Sequence, residues 1–408
     1  MLSEKSTEVV RATLPVIGAA IGDITPVFYR RMFAARPELL RDLFNRGNQA
    51  QGEQQKALAG AIAAYATMLV DPAGPPPAAL VARIAHKHAS LGIVAEQYPI
   101  VHEHLFAAIV EVLGDAVTPE VAAAWDEVYW HMAHTLVTAE KALYTGAGVD
   151  DGDVWRDLVV AERRLEATDT VSFVLADPSG APLPAFSPGQ YVSVQVALPD
   201  GAHQIRQYSL SSGPGRSTWR VGVRRIAESP AEPGYPAGEV SNHLYENVFE
   251  GDTLRVSLPF GDLALEDADH PLLLVSAGIG VTPMLGMLDH LATADDATPR
   301  HVAVVHADRS PSRHAHRTEL GALVGSLPDA VLHTWYETPG TGATPEHVRT
   351  GRVDLSELDI DPATEAYLCG PLPFMLAVRD ELVARDVAAE RIHYEVFGPD
   401  SWLPAGVN

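Results

Sequence analysis

Arg206-Gln207-Tyr208-Ser209 sets a permanent cation, an amide, a flat phenol and a small hydroxyl side by side. A guanidinium suits a phosphate, and a phenol ring suits a planar heterocycle. In an extended segment side chains alternate, so Arg206 and Tyr208 share one face and Gln207 and Ser209 the other. Such a strand end could take a long ligand with a phosphate at one end and a ring at the other. An ordinary amphipathic strand shows the same alternation.

Three further stretches carry chemistry. Leu272-Leu273-Leu274-Val275 runs into Ala277-Gly278-Ile279-Gly280-Val281-Thr282-Pro283, with a helix predicted from Met284. Strand, glycine turn and helix start bring backbone N–H groups to a dinucleotide phosphate, and Pro283 suits a first helical turn. The spacing is Gly-x-Gly-x-Thr-Pro, not Gly-x-Gly-x-x-Gly. Gly238-Glu239-Val240-Ser241 is a second glycine loop that runs into a helix start, and it could cradle a pyrophosphate.

Leu80, Ile84, His88 and Leu91 recur at offsets of four, four and three, so His88 projects from an apolar helix face. It is either a satisfied core histidine or a metal ligand. His86 lies about 200° around the helix and is expected to face water. Gln54 heads the apolar face of Leu58, Ala61 and Tyr65, as a helix-end residue or as a polar group entering a dry pocket. Tyr29 shares a face with Phe33, and a buried Tyr needs a partner for its hydroxyl.

The elements that must position these residues fall into three blocks. Residues 1–147 read as helices, near 4–20, 24–34, 52–70, 78–91, 97–113 and 119–144, with Pro15, Pro26, Pro37, Pro72, Pro99 and Pro119 mostly at starts or between them. Residues 148–153 are rich in Gly and Asp and read as a linker. Residues 154–267 hold short β-rich runs at 159–163, 171–175, 191–196, 219–224 and 253–258. Such a succession implies an antiparallel barrel. In 268–408 the apolar run at 272–275 reads as a strand buried on both faces of a parallel sheet. Further strands are predicted at 301–306, 331–336 and 365–369.

Composition bounds the reading. The 408 residues are 47% hydrophobic, enough for several cores. A net charge of −24 argues against a nucleic-acid partner. It also means that an anionic cofactor must be held by local cations and backbone N–H groups. The single Cys369 excludes an internal disulfide and a cysteine metal cluster. The first residues carry no signal pattern, and the uncharged stretch from Pro271 to Leu288 is broken by glycines and prolines. No membrane span is expected, and a cytoplasmic protein follows.

These motifs, in this order, resemble a known family. Phe28-Tyr29-Arg30-Arg31-Met32-Phe33, Pro37-Glu38-Leu39-Leu40, Phe44-Asn45, Lys87-His88, Glu96-Gln97-Tyr98 and Ala139-Glu140 resemble the globin half of the flavohaemoglobins (flavohemoproteins). Pro188-Gly189-Gln190-Tyr191, Arg206-x-Tyr208-Ser209, Pro259-Phe260-Gly261-Asp262, Cys369-Gly370-Pro371 and Tyr394-Glu395-Val396-Phe397-Gly398-Pro399 resemble its ferredoxin-reductase-like half. The resemblance implies an all-α globin domain, an antiparallel β-barrel FAD domain and an α/β parallel-sheet NAD(P) domain. It implies haem b on His88, with Phe44 packed on it, Tyr29, Gln54 and Leu58 distal, and Tyr98 and Glu140 around His88. It implies FAD at Tyr191, Arg206, Gln207, Tyr208, Ser209, Gly238, Val240 and Ser241. NADH or NADPH is implied at Gly278, Ile279, Gly280, Val281, Thr282, Pro283, Cys369 and Gly370. Val396, Phe397, Gly398 and Pro399 are implied at the flavin, with Glu395 and Lys87 on either side of a flavin–haem gap. Glu239 stands where the family commonly has Gln. Asp308, Arg309 and Arg313 could meet a 2′-phosphate or simply be solvated.

The implied activity is that of a nitric oxide dioxygenase: NAD(P)H reduces FAD, FAD reduces the haem iron, and O2 on ferrous haem oxidises NO to nitrate. The expected partners are small molecules, and the chain is expected to act as a monomer. One rival is an oxygen or NO sensor or carrier whose reductase keeps the haem ferrous. Another is a flavin reductase acting on a different acceptor.

Overall fold

The computed structural model describes residues 2–71, 78–228, 237–294, 300–340 and 348–397. Contact density resolves two units, the first built from residues up to 155 together with the segment 197–206.

Among the described residues, seven α-helices make the first unit: α1 (Glu4–Ala35), α2 (Pro37–Asp42), α3 (Arg46–Ala50), α4 (Glu53–Val70), α5 (Ala78–Leu91), α6 (Tyr98–Leu113) and α7 (Pro119–Ala147). The helices expected at 4–20 and 24–34 are one, and Pro15 and Pro26 lie inside it rather than at a boundary. A proline inside a helix costs about 3 kcal/mol. Here Val10, Ile17, Ile24, Phe28 and Met32 bury one continuous face of α1, which offsets that cost. By length and composition α1 could cross a membrane. Its apolar face instead packs with residues of α4, α6 and α7 in two core clusters. α7 opens on Thr118, which accepts from Val121 N, and on Pro119 at its first position. It ends at Gly148 in the left-handed conformation. The Gly- and Asp-rich segment after it packs against the loop after α5. A Cβ on Gly152 would lie 2.8 Å from Val94 and 3.2 Å from the Gly92 carbonyl, so only glycine lets the two loops touch.

Two sheets follow, lying in the second unit apart from Trp155, Ala197 and His203–Arg206. The first has β1 (Trp155–Ala167), β2 (Thr170–Ala176), β3 (Tyr191–Ala197), β4 (His203–Ser209), β5 (Trp219–Arg224) and β6 (Thr253–Ser257), with α8 (Glu239–Asn247) between β5 and β6. Strand order is β4-β3-β6-β1-β2-β5. An antiparallel bridge from Leu210, just past β4, to Val221 on β5 joins the two edges. The sheet therefore closes into the expected antiparallel barrel.

The second sheet has β7 (Leu272–Ala277), β8 (Val302–Asp308), β9 (Ala330–Tyr336), β10 (Val348–Thr350), β11 (Glu365–Cys369) and β12 (Ile392–Glu395), with helices α9 (Val281–Thr293), α10 (Arg317–Ser326) and α11 (Leu372–Val383). Every pairing is parallel, in the order β10-β9-β8-β7-β11-β12. β7 to β10 are laid down in one direction, and β11 then returns to the other side of β7. That reversal is a switch point, and open α/β sheets bind ligands outside the carboxyl ends of the strands there. The core beneath it includes Leu272, Leu274, Met284, Leu285, Val304 and Tyr367. α9 starts at Val281, three residues before the expected Met284, which keeps Pro283 in the first turn.

Candidate functional site

In the first unit, α5 carries His88 and α7 carries Glu140. Glu140 is 2% exposed, and its Oε1 accepts from His88 Nδ1 at 2.7 Å and from the Tyr98 hydroxyl at 2.5 Å. Tyr98 itself stands 3.1 Å from His88 Nδ1. A carboxylate accepts only, so Nδ1 carries the proton and Nε2 keeps the lone pair. Burial, and next the Glu140 charge, push the Tyr98 phenol far up, so it stays a donor. Lys87, before His88, is half-buried. His86 is also half-buried rather than fully in water.

Tyr29, 4% exposed, stacks on Phe33 at 5.6 Å and meets Phe44 edge-on at 5.9 Å. Burial raises its phenol well above the usual range, against the pull of hydrogen bonds from Gln54 and Gln49. Leu58 packs against the same cluster. Gln54, half-buried, turns towards the Tyr29 hydroxyl. Gln49 was missed; its place on the short α3, facing the start of α4, leaves no periodic signal.

In the second unit, Ser209 ends β4. It is 2% exposed, and its Oγ has no hydrogen-bond partner among the described residues. A buried hydroxyl left without a partner costs about 1–3 kcal/mol, a cost that a ligand atom would remove. Gln207 donates to Ser193 Oγ at 3.1 Å, on the opposite face from half-buried Tyr208. Arg206, assigned with the first unit, donates to the Ile205 carbonyl at 2.7 Å. Tyr191 is buried under Gly261, where a Cβ would stand 3.0 Å from its ring. Gly238 caps α8, with Glu239 as its first residue and Val240 and Ser241 buried behind it. The Ser241 hydroxyl donates to the Gly238 carbonyl at 3.3 Å.

At the switch point, Gly280 packs so tightly that a Cβ would lie 2.3 Å from the Cys369 carbonyl. Gly278 has φ +58°, and its Cβ would lie 2.7 Å from Arg224 Nη1. Arg224, the last residue of β5, therefore sets a cation beside the turn; sequence reading saw only a strand there. Thr282 Oγ1 donates to the Ile279 carbonyl at 3.0 Å, and Val281 and Pro283 are buried. The Cys369 thiol is a core group, pushed well up by burial and then by the Glu395 charge, so Cys369 and Gly370 face the turn through backbone. Glu395 is buried at the end of β12, Val396 is half-buried and Phe397 is exposed. Gly398 and Pro399 lie outside the described residues, as does the Pro75-Pro76-Pro77 tract. The Asp308–Arg313 cluster is occupied: Asp308 takes Arg224 at 2.9 Å, and Arg313 pairs with Asp169.

The comparisons with known proteins follow this layout. Models of the globin family, of oxidoreductase FAD-binding domains and of oxidoreductase NAD-binding domains match residues 27–136, 157–264 and 274–380. The flavohemoprotein of Chromobacterium violaceum is 43% identical over 407 residues, and that of Bordetella pertussis 44% over 408, with at least 98% of either chain covered. The chain belongs to the flavohaemoglobin family. A crystal structure of Malassezia yamatoensis flavohemoglobin with bound FAD and heme superposes with a TM-score of 0.86 at 36% identity, covering 97% of this chain and all of that one. The FAD/NAD-binding domain of Vibrio cholerae nitric oxide dioxygenase is 33% identical, covers 60% of this chain and 99% of its own, and gives a TM-score of 0.53.

The residues of this flavohaemoglobin fit the family's three cofactors. His88 presents one basic nitrogen with the other committed, as a haem ligand requires. Ser209 offers an unanswered hydroxyl for a flavin. The Gly278–Gly280 turn is a cradle that any Cβ would fill.

Proposed function

We propose that the chain is an NAD(P)H-dependent nitric oxide dioxygenase that turns NO and O2 into nitrate, working in the cytoplasm as a single chain. One NAD(P)H gives two electrons, which serve two NO and two O2 and yield two nitrate ions and one proton. When bound, the nicotinamide supplies hydride, FAD splits the electron pair and haem activates oxygen. The chain supplies placement and charge.

The observation that carries this reading is a charged proximal set facing a donor-lined distal pocket. Glu140 and Tyr98 hold the His88 ring in one tautomer and orientation, and the carboxylate favours positive charge on the metal side. Oxygen carriage does not need that push. Across the pocket, the Tyr29 phenol remains protonated and is steadied by Gln54 and Gln49, so it can donate to an oxygen that gains negative charge. Phe44 and Leu58 keep the pocket apolar around it. Tyr191, Arg206, Gln207, Tyr208 and Ser209 hold the flavin, with Gly238, Val240 and Ser241 at its phosphates and Val396 and Phe397 at its ring. Gly278 to Pro283 hold the coenzyme phosphates through backbone N–H groups, with Arg224, paired with Asp308 and Asp169, packed beside the turn and Cys369–Gly370 closing it. Lys87 and Glu395 supply charge beside the haem and the flavin respectively.

The test is NO consumption and nitrate formation by haem- and FAD-loaded protein with NADH and with NADPH, in air and anaerobically. Oxygen-dependent nitrate formation is expected, and Tyr29→Phe should cut it while flavin reduction persists. Normal flavin reduction with little oxygen-dependent NO loss would overturn the reading in favour of a sensor or a reductase for another acceptor.

A further inference from the structure

The amino edge of the parallel sheet, opposite the coenzyme turn, gathers three groups that suit a cation. Glu365 opens β11, His393 is the second residue of β12, and Glu266 lies on the segment that leads from the barrel to β7. One atom of each, two carboxylate oxygens and an imidazole nitrogen, lies within 4.8 Å of the other two. Glu365 is buried, His393 is half-buried and Glu266 is exposed, so the group is open to solvent on one side.

A histidine beside a carboxylate is usually an ordinary hydrogen bond. Three features go further. The Glu365 charge is already answered, because its Oε1 accepts from Arg391 Nη1 at 2.6 Å, which leaves Oε2 to His393 Nε2 at 2.9 Å. Each of the three residues is also held from behind. Arg391 fixes the Glu365 carboxylate, and the Tyr367 ring stacks on His393 with centroids 4.7 Å apart. The Tyr367 hydroxyl accepts from Glu266 N–H at 2.9 Å, and Arg300 donates to the Glu266 carbonyl at 3.2 Å. Partners of this kind orient metal ligands. Last, the Glu266 carboxylate converges on the other two yet accepts no hydrogen bond among the described residues.

We propose that Glu266, Glu365 and His393 form a zinc site that staples the edge strand β12 to the segment leaving the barrel. Imidazole and carboxylate together suit zinc better than magnesium or calcium, and water completes a tetrahedron around three protein ligands. A carboxylate accepts only, so the His393 proton lies on Nε2. Zinc takes its place there, and the proton moves to Nδ1. Ligands about 2.1 Å from a tetrahedral ion stand about 3.4 Å apart, so closure needs a movement on the order of 1 Å, which exposed Glu266 can make. Arg391 and Arg300 oppose a cation locally, but Glu266, Asp267 and Glu365 outnumber them, and the net charge of −24 favours a cation throughout. β12 pairs with β11 at the edge of the sheet and leads straight into Val396 and Phe397, so what holds His393 steadies them. The proposal does not rest on the dioxygenase reading.

The probe is zinc chloride, titrated by calorimetry into the full untagged chain carrying haem and FAD, after free metal has been removed with a chelator. One zinc per chain is expected, with an anomalous peak between the three side chains in crystals measured across the zinc edge. Magnesium should not displace it. His393→Gln and Glu266→Gln should each lose it, and neither side chain is fully buried, so one variant remains if the other fails to fold. Amide exchange along β12 should slow with zinc in the parent chain and not in the variants. No uptake by the parent chain overturns the proposal, as does equal uptake by both variants or displacement by magnesium. Zinc at the site with β12 exchange unchanged overturns the staple. None of these outcomes is read through nitrate formation, so the failure of this site and the failure of the dioxygenase reading are told apart.

Discussion

Replacing Glu140 with Gln isolates the charge in the proximal set. Both donors, His88 Nδ1 at 2.7 Å and the Tyr98 hydroxyl at 2.5 Å, reach the same Oε1. Gln can keep an acceptor oxygen there at nearly the same volume, so packing around this buried residue survives. What is lost is the charge. A hydrogen bond to a charged group contributes about 1.5–3 kcal/mol, and a neutral one about 0.5–1.5. Two bonds therefore weaken by roughly 2 kcal/mol together. The part that matters is the part that differs between the two iron oxidation states. The carboxylate favours the more positive, ferric state, so its removal raises the midpoint. About 1.4 kcal/mol of difference corresponds to about 59 mV for one electron. A rise of roughly 50–100 mV is the expectation, read by spectroelectrochemical titration of the haem-loaded chain. Turnover should fall about 10–100-fold, as for other partners of metal-ligating histidines. A midpoint that does not move, with unchanged turnover, refutes the reasoning; the carboxylate would then serve only to seat the helices.

Ser209→Ala removes a buried hydroxyl with no partner among the described residues, so FAD affinity should fall by about tenfold, for the loss of one hydrogen bond. Fluorescence titration of the apoprotein reads this, and thermal stability without flavin should hold steady or rise. Gly280→Ala sets a methyl 2.3 Å from the Cys369 carbonyl, so β7 and β11 must part. NADH-to-flavin transfer should be lost in stopped flow while photoreduction of the flavin persists. His314 is buried, and burial first, then the positive charge of Arg317 and Arg224, holds its imidazole at about 3. The unfolded chain therefore binds the extra proton, and stability is full above about pH 6.5 and falls as pH drops towards 3. Urea unfolding of the chain should lose up to about 1.4 kcal/mol per pH unit from this group in that window. In His314→Gln the acid slope should be shallower, and an equal slope would show that His314 is not responsible.

How legible the molecule was depends on the range of the interaction. Periodicity placed His88 correctly, because Leu80, Ile84 and Leu91 repeat on one face of α5. The apolar run before Gly278 gave β7, because a strand covered on both faces has no polar side. Two helices were read where α1 is one, because proline's local cost is visible in sequence and the tertiary burial that offsets it is not. Gln49 and Arg224 were invisible for the same reason: the first meets Tyr29, and the second meets a glycine from another layer. Gly152 in the linker was legible as a glycine, but not its reason: it is small enough to fit against Gly92 and Val94.

The order of strands in the parallel sheet has a consequence for the protein while it is being made. The barrel's six strands, with most of the residues assigned to the flavin, are complete by Ser257. The coenzyme turn cannot be finished then, because Gly280 waits for the Cys369 carbonyl on β11, which is synthesised late. A half-made chain therefore lacks the cradle that takes the coenzyme, whatever flavin it carries. Because the switch-point strand β11 follows the barrel and β7 to β10, reductase activity reports that the chain is nearly finished.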